Sequence, residues 1–163
     1  MLTDTGPLLA LLDVNDRHHA SCVAVVRSLP NQPLMTTWLC FTEAIYFLGE
    51  EGGYHFQERL WKLRRDGTLA LLELTPAEGD LMDALMAQYQ NVPMDAADAS
   101  LIAIAQSRSF RRLFTIDSDF YIYRLASALS ATGEAGAPFI AIPPRPPFPE
   151  AGINGCESLQ VPL

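Results

Sequence analysis

Four short apolar runs, MLTD, PLMTT, TLALLEL and RRLFTID, recur along the chain, with segments of helical periodicity between them. A buried apolar strand that alternates with helices is covered on both faces, and the intervening helix returns the chain so that the next strand pairs parallel. The pattern therefore predicts an α/β domain with a mainly parallel central sheet. At 163 residues the chain is one ordinary domain, long enough to bury roughly 70% of the surface it exposes when unfolded. In sheets of this kind ligands gather beyond the carboxyl ends of the strands. Asp4 and Asp117 each end one of the apolar runs.

The helical segments carry their own signals. Pro7 suits the first turn of a helix over PLLALLDV, and a second helix is expected from His18 to Leu29, where Pro30 ends it. In WLCFTEAIYFLGEEGG, Trp38, Phe41, Ile45 and Leu48 recur at spacings of three and four and so share one face, and Gly52-Gly53 stops the run. Tyr54 to Arg65 forms the next helix, closed by Asp66-Gly67. The tetrad Thr75-Pro76-Ala77-Glu78 is a capping box with proline at the first helical position. A further helix starts near Ala96, and from Ala135 the chain becomes proline-rich, with one short strand expected over Phe139 to Ile142.

Composition narrows the function. Eleven Lys and Arg stand against 19 Asp and Glu, a net charge of −8, which argues against sequence-independent nucleic-acid binding over the whole surface but leaves room for carboxylates that hold metal ions. Charged residues make up only 18% of the chain, low for a surface that stays monomeric, and this hints at a partner or an oligomer interface. Cys22, Cys40 and Cys156 form no CxxC pair, so reduced thiols are expected rather than a disulfide framework. No basic leader followed by an apolar core opens the sequence and no apolar run approaches 18 residues, so a cytoplasmic protein with no membrane span is expected.

Four acids have unusual settings. Asp4 ends the first strand, Glu43 lies within the apolar helix that begins at Trp38, Asp98 opens the run ASLIAIA, and Asp117 ends RRLFTI. Taken singly, Asp4 and Asp98 read equally well as helix caps, Asp117 and Asp119 as a loop pair, and Glu43 as a solvent-facing helix residue about 140° from Trp38. Taken together at one pole, four carboxylates repel, and a divalent cation relieves the repulsion; hard oxygen ligands suit Mg²⁺ or Mn²⁺.

DTGP near the start, TEA in an apolar helix, DAADASLIAIA and FTIDSDF together resemble the PIN-domain nucleases, most closely the toxins of bacterial and archaeal toxin–antitoxin pairs, the VapC-like ribonucleases. The motifs fall within residues 1–125, in a domain expected over 1–134, with 135–163 a proline-rich C-terminal extension longer than a minimal member needs. The resemblance implies a three-layer α/β/α sandwich and metal-dependent hydrolysis of RNA to a 5′-phosphate and a 3′-hydroxyl. It maps the catalytic acids to Asp4, Glu43, Asp98 and Asp117. Asp4, Asp98 and Asp117 become the main ligands of Mg²⁺ or Mn²⁺, with Glu43 orienting a water or holding a second ion. Asp95 and Asp119 match additional acids, and Thr5 and Thr115 the hydroxyl residues beside the end acids, Thr5 bonding to a carboxylate or water rather than to metal.

Substrate contacts are expected from Arg108, Arg111 and Arg112, with Arg59, Lys62, Arg64 and Arg65 a second basic cluster; both read also as solvated surface or as contacts to an acidic partner. The resemblance implies an RNA substrate, a homodimer, with Tyr54, Trp61, Met82, Met86 and Tyr89 as candidate contacts, and a small antitoxin. The antitoxin would carry an arginine or lysine into the acids and an apolar helix into a groove beside Trp38–Glu50. A non-catalytic RNA-binding or protein-interaction module on the same fold is the alternative, and a DNA nuclease remains open. A phosphotransferase with an aspartyl nucleophile is disfavoured, because Gly6 stands where a DxD start needs its second acid.

Overall fold

The structure, a computed structural model, describes residues 1–92 and 94–123. The proline-rich extension, its expected strand over 139–142 and Cys156 lie outside these residues. Four parallel strands make one sheet in the order β3-β2-β1-β4: β1 (Leu2–Thr3), β2 (Leu34–Thr37), β3 (Leu69–Leu72) and β4 (Leu113–Phe114). Helices α1 (Thr5–Leu12) and α2 (His19–Ser28) join β1 to β2, and α3 (Trp38–Gly52) and α4 (Tyr54–Arg65) join β2 to β3. Helices α5 (Pro76–Gln88) and α6 (Ala96–Ser107) then carry the chain to β4 on the far side of β1, and a 3-10 turn, Ser118–Tyr121, follows.

This order dictates the layers. Crossovers between parallel strands are right-handed. Steps from β1 to β2 to β3 therefore place α1–α4 on one face, and the return step to β4 places α5 and α6 on the other. The apolar side chains divide accordingly. Leu8, Leu34, Phe41, Leu48, Leu60, Leu69 and Phe114 pack on the α1–α4 side, and Leu2, Leu85, Leu101, Ile104, Leu113 and Phe120 on the α5–α6 side. Leu113 and Phe114 are neighbours in one strand and serve opposite cores, as the two-residue period of a strand requires. The result is the expected three-layer α/β/α sandwich.

One buried ion pair ties the α5–α6 layer together. Glu78 closes the capping box with Thr75 at the start of α5. The same carboxylate receives Arg108 Nε and an Arg108 terminal nitrogen, both at 2.8 Å, from the end of α6, and the Ser107 hydroxyl as well. Arg108 also donates to the Glu73 carbonyl oxygen at 2.6 Å. The guanidinium holds the Glu78 carboxyl far below the usual carboxylate range. Arg108, expected at the substrate, is thus committed to joining two helices. Arg111 and Arg112 are exposed and precede β4, at the sheet edge opposite the strands' carboxyl ends.

The two cysteines within the described residues, Cys22 and Cys40, are buried free thiols. Among the described residues no helix is long and apolar enough to cross a membrane.

Candidate active site

Asp4 leaves β1 in extended conformation and caps α1. Its amide donates to the Phe114 carbonyl oxygen at 2.9 Å, which locks it to β4. One carboxylate oxygen accepts the Thr5 amide at 2.6 Å and the other accepts the Thr115 hydroxyl at 2.7 Å. Thr115 in turn accepts the Asp117 amide at 2.9 Å, so one hydroxyl joins the first and last acids of the pole. The Asp117 side chain accepts the Asp119 amide at 2.9 Å and starts the 3-10 turn.

Thr5 does the equivalent on the other side. Its hydroxyl donates to Glu43 Oε2 at 2.6 Å, holding the half-buried carboxylate of α3 beside the end of β1. The hydroxyl expectation for Thr5 is met by a carboxylate partner. Thr37, the residue before α3, caps that helix through the Cys40 amide and exchanges a 2.7 Å hydrogen bond with Ser100 of α6. That bond sets α3 and α6 side by side at the same end of the sheet.

Asp95 caps α6 and its side chain accepts the Asp98 amide at 2.8 Å. Asp98 therefore sits within the first turn of the helix rather than before it, and it is buried. Its Oδ2 receives the Tyr123 hydroxyl at 3.3 Å. Tyr123 was not among the residues expected from the sequence. Its ring is buried against Tyr89 and Phe120, and an aromatic beyond the last motif gives no local sign that its hydroxyl reaches 25 residues back.

The electrostatics unite these acids. Burial raises the Asp4 carboxyl to about 6, with Asp117 and Glu43 adding repulsion and the Thr115 and Thr5 hydrogen bonds opposing it. Burial raises Asp98 to about 8, and Asp95, Asp4 and Asp117 push in the same direction against the Tyr123 hydrogen bond. Asp4, Asp98 and Asp117 thus lie within one another's field at the carboxyl ends of β1 and β4, where the strand order reverses. Their donor atoms are all carboxylate oxygens, the set a hard divalent cation takes. Among the described residues, however, no group of three or more His, Cys, Asp or Glu side chains is spaced to hold a metal ion as it stands.

A cleft of about 690 Å³ opens beside the acids between α3 and the start of α6, with Trp38, Leu39, Tyr46, Phe47 and Ala97 among its apolar lining and Glu43 and Asp95 among its polar lining. Gly6 fits its neighbourhood tightly. A Cβ there would stand 2.7 Å from Ile116 Cγ1, and Ile116 lies between Thr115 and Asp117. Gly6→Ala is expected to cost about 1–3 kcal/mol through this overlap. Chemical denaturation checks it, and an unchanged midpoint would mean that Ile116 gives way freely.

A family model described as the PIN domain matches residues 1–125. No curated protein matches the chain. Among solved structures, the chain is similar to VapC20 of Mycobacterium tuberculosis, described as a sarcin–ricin loop cleaving toxin, at 16% identity and TM-score 0.69, covering 74% of this chain and 92% of that one. It is similar to a toxin–antitoxin complex from Klebsiella pneumoniae at 21% identity and TM-score 0.53, covering 73% and 88%. It is also similar to VapBC2 of Rickettsia felis, solved bound to a DNA fragment from its promoter, at 12% identity and TM-score 0.55, covering 74% and 90%. At these identities the likeness is one of fold.

Proposed function

The chain belongs to the PIN-domain family, and from that premise we propose that it is a metal-dependent endoribonuclease, the toxin of a toxin–antitoxin pair, hydrolysing RNA phosphodiesters in the cytoplasm. The observation that carries this reading is the pair of buried acids, Asp4 and Asp98, each raised by burial and by the other acids. Such an arrangement costs stability and serves no packing purpose. It has a purpose if a cation completes it.

Asp4, Asp98 and Asp117 would hold Mg²⁺ or Mn²⁺, with Asp95 and Asp119 as the outer acids. When bound, the ion supplies charge that lets a phosphate approach these carboxylates and lowers the pKa of the attacking water. Glu43, fixed by Thr5, orients that water. Thr115 holds Asp4 and the Asp117 amide in register, so that the two acids that follow different strands keep a common geometry. Asp95 orders the first turn of α6 and with it Asp98.

A second reading, a non-catalytic RNA-binding or protein-interaction module on the same fold, is favoured by one observation: the described acids are not spaced for an ion as they stand. Mapping of cut sites on total cellular RNA, with and without Mg²⁺, separates the two. Discrete Mg²⁺-dependent cuts support the nuclease, and intact RNA supports the module.

Two partners accompany the nuclease reading. A small antitoxin would lay an apolar helix in the cleft beside α3 and place a basic residue against Glu43 and Asp95. The second partner is another copy of the chain. Of the expected dimer contacts, Tyr54 is 73% and Met86 38% exposed and both remain available, whereas Trp61, Met82 and Tyr89 are packed against the cores. Tyr46, at 62% exposed, and Phe47, at 41%, are further exposed aromatics on α3. Light scattering should report twice the chain mass of 17.9 kDa at micromolar concentration; the single-chain mass throughout would remove the dimer.

A further inference from the structure

Helix α4 brings four cations close together, and the structure separates them by what each one meets. Lys62 is paired with Asp66, and Arg65 with Glu58 at 2.6 Å. Arg59 lies over the Phe56 ring at 5.4 Å. Arg64 is different. Its guanidinium lies over two indoles, 5.6 Å from the Trp38 ring and 5.9 Å from the Trp61 ring. Among the described residues it forms no ion pair. Glu73, the acid beside Trp38, is engaged with the indole N–H at 2.8 Å.

A guanidinium stacked on aromatic rings is attracted by their faces and keeps its N–H edge for a planar, two-oxygen acceptor. The stack also restrains the side chain before any ligand arrives, so less rotamer freedom is lost on binding than for a free surface arginine.

Its position adds meaning to its chemistry. Trp38 lines the cleft that Glu43 and Asp95 also line. Glu43 lies five positions further along α3 than Trp38, ~7.5 Å along the axis. The acids repel a nucleic-acid backbone on their own, whereas Arg64, laid on a tryptophan that lines the same cleft, is a cation with no ion pair among the described residues.

We propose that Arg64, laid on Trp38 and Trp61, is a phosphate-binding subsite for RNA, gripping a backbone phosphate that flanks the one being cut. This rests on the ribonuclease reading above and names a part of its substrate path. The contact is to the backbone, so it contributes affinity and register without base preference.

The test uses the full chain and a single-stranded RNA oligonucleotide that spans a mapped cut site, assayed with Mg²⁺ over a series of KCl concentrations. Arg64→Gln is expected to raise KM about 5- to 10-fold, with kcat within twofold of the wild type. It should also flatten the dependence of log KM on log salt by ~0.7, the loss of one phosphate contact on a single strand. Arg64→Lys keeps the charge without the planar edge, so it should recover the salt slope and only part of KM. Lys62→Gln removes a cation already paired with Asp66 and should change neither. Melting curves show whether each variant is folded, and Arg64→Lys decides the matter if Arg64→Gln is not. An unchanged KM and slope in Arg64→Gln overturns the subsite, as does an equal change in Lys62→Gln, which would mark a diffuse charge effect. A variant that cleaves normally but loses affinity for a protein partner assigns the face to that partner and also overturns it. If the wild type makes no Mg²⁺-dependent cuts, the ribonuclease reading itself fails and the subsite falls with it.

Discussion

Asp98→Asn is expected to abolish the proposed Mg²⁺-dependent RNA cleavage, by at least ~10²–10³-fold, and to raise the melting temperature of the metal-free protein at pH 8. The first effect follows from removing a charge that would hold the ion, at a position where asparagine keeps an oxygen to accept the Tyr123 hydroxyl. The second follows from linkage. Asp98 titrates near 3.8 when unexposed to the fold and at about 8 within it. Between those values the native state retains a proton that the unfolded chain has released, so stability falls as pH rises from about 4 through 8. Asparagine has no such proton, and its advantage is absent at pH 4 and full above pH 8. Asp4→Asn follows the same sign in a narrower window that closes at about 6, and asparagine remains a good cap for α1. Paired melts at pH 5 and pH 8, beside a cleavage assay, check both effects. Full activity in purified Asp98→Asn would remove Asp98 from the catalytic acids.

Arg108→Met destabilises the fold by about 3 kcal/mol, with no direct effect on the acids. Glu78 is 3% exposed and would keep its charge without its main partner, and breaking such a pair costs about 3–5 kcal/mol. Arg108 retains a third of its side-chain surface in water, 33%, which places the loss at the lower end. For a chain of this length the melting temperature should drop by roughly 6–12 °C. The pH signature runs opposite to that of Asp98. Glu78 has a depressed pKa, so its contribution is present above the unfolded value of about 4.5 and disappears as pH falls below it toward the folded one. Arg108→Met should therefore flatten the acid limb of the wild-type stability curve. A variant that melts with the wild type at pH 7 would show that the pair is thermodynamically idle.

The two predictions divide what was legible in the sequence from what was not. Locally encoded features read correctly: Gly52-Gly53 and Asp66-Gly67 bracket α4 at Tyr54–Arg65, and Thr75-Pro76 with Glu78 starts α5. Strand lengths read less well, because an apolar run reports burial and not pairing. TLALLEL contributes only Leu69–Leu72 to the sheet, and RRLFTID only Leu113–Phe114. The acids could be picked out because each interrupts an apolar segment. Their partners could not, because Thr5 meets Glu43 across 38 residues and Thr115 meets Asp4 across 111. The partner of Arg108 could not be read for the same reason: a cation near two others looks like a surface cluster until Glu78, 30 residues earlier, is folded against it.

The pairing of β1 with β4 also sets when the acidic pole can come into being. Leu2 sits opposite Leu113 and Thr3 opposite Phe114, so the two shortest strands of the sheet join segments more than a hundred residues apart. Contacts of such sequence separation form late, since the loop they close must be ordered before they repay its entropy. The Phe114 carbonyl and the Thr115 hydroxyl that hold Asp4 arrive only with β4. On a ribosome the helical layers α1–α4 and α5–α6 are made before it, and the acid that is synthesised among the first is completed among the last.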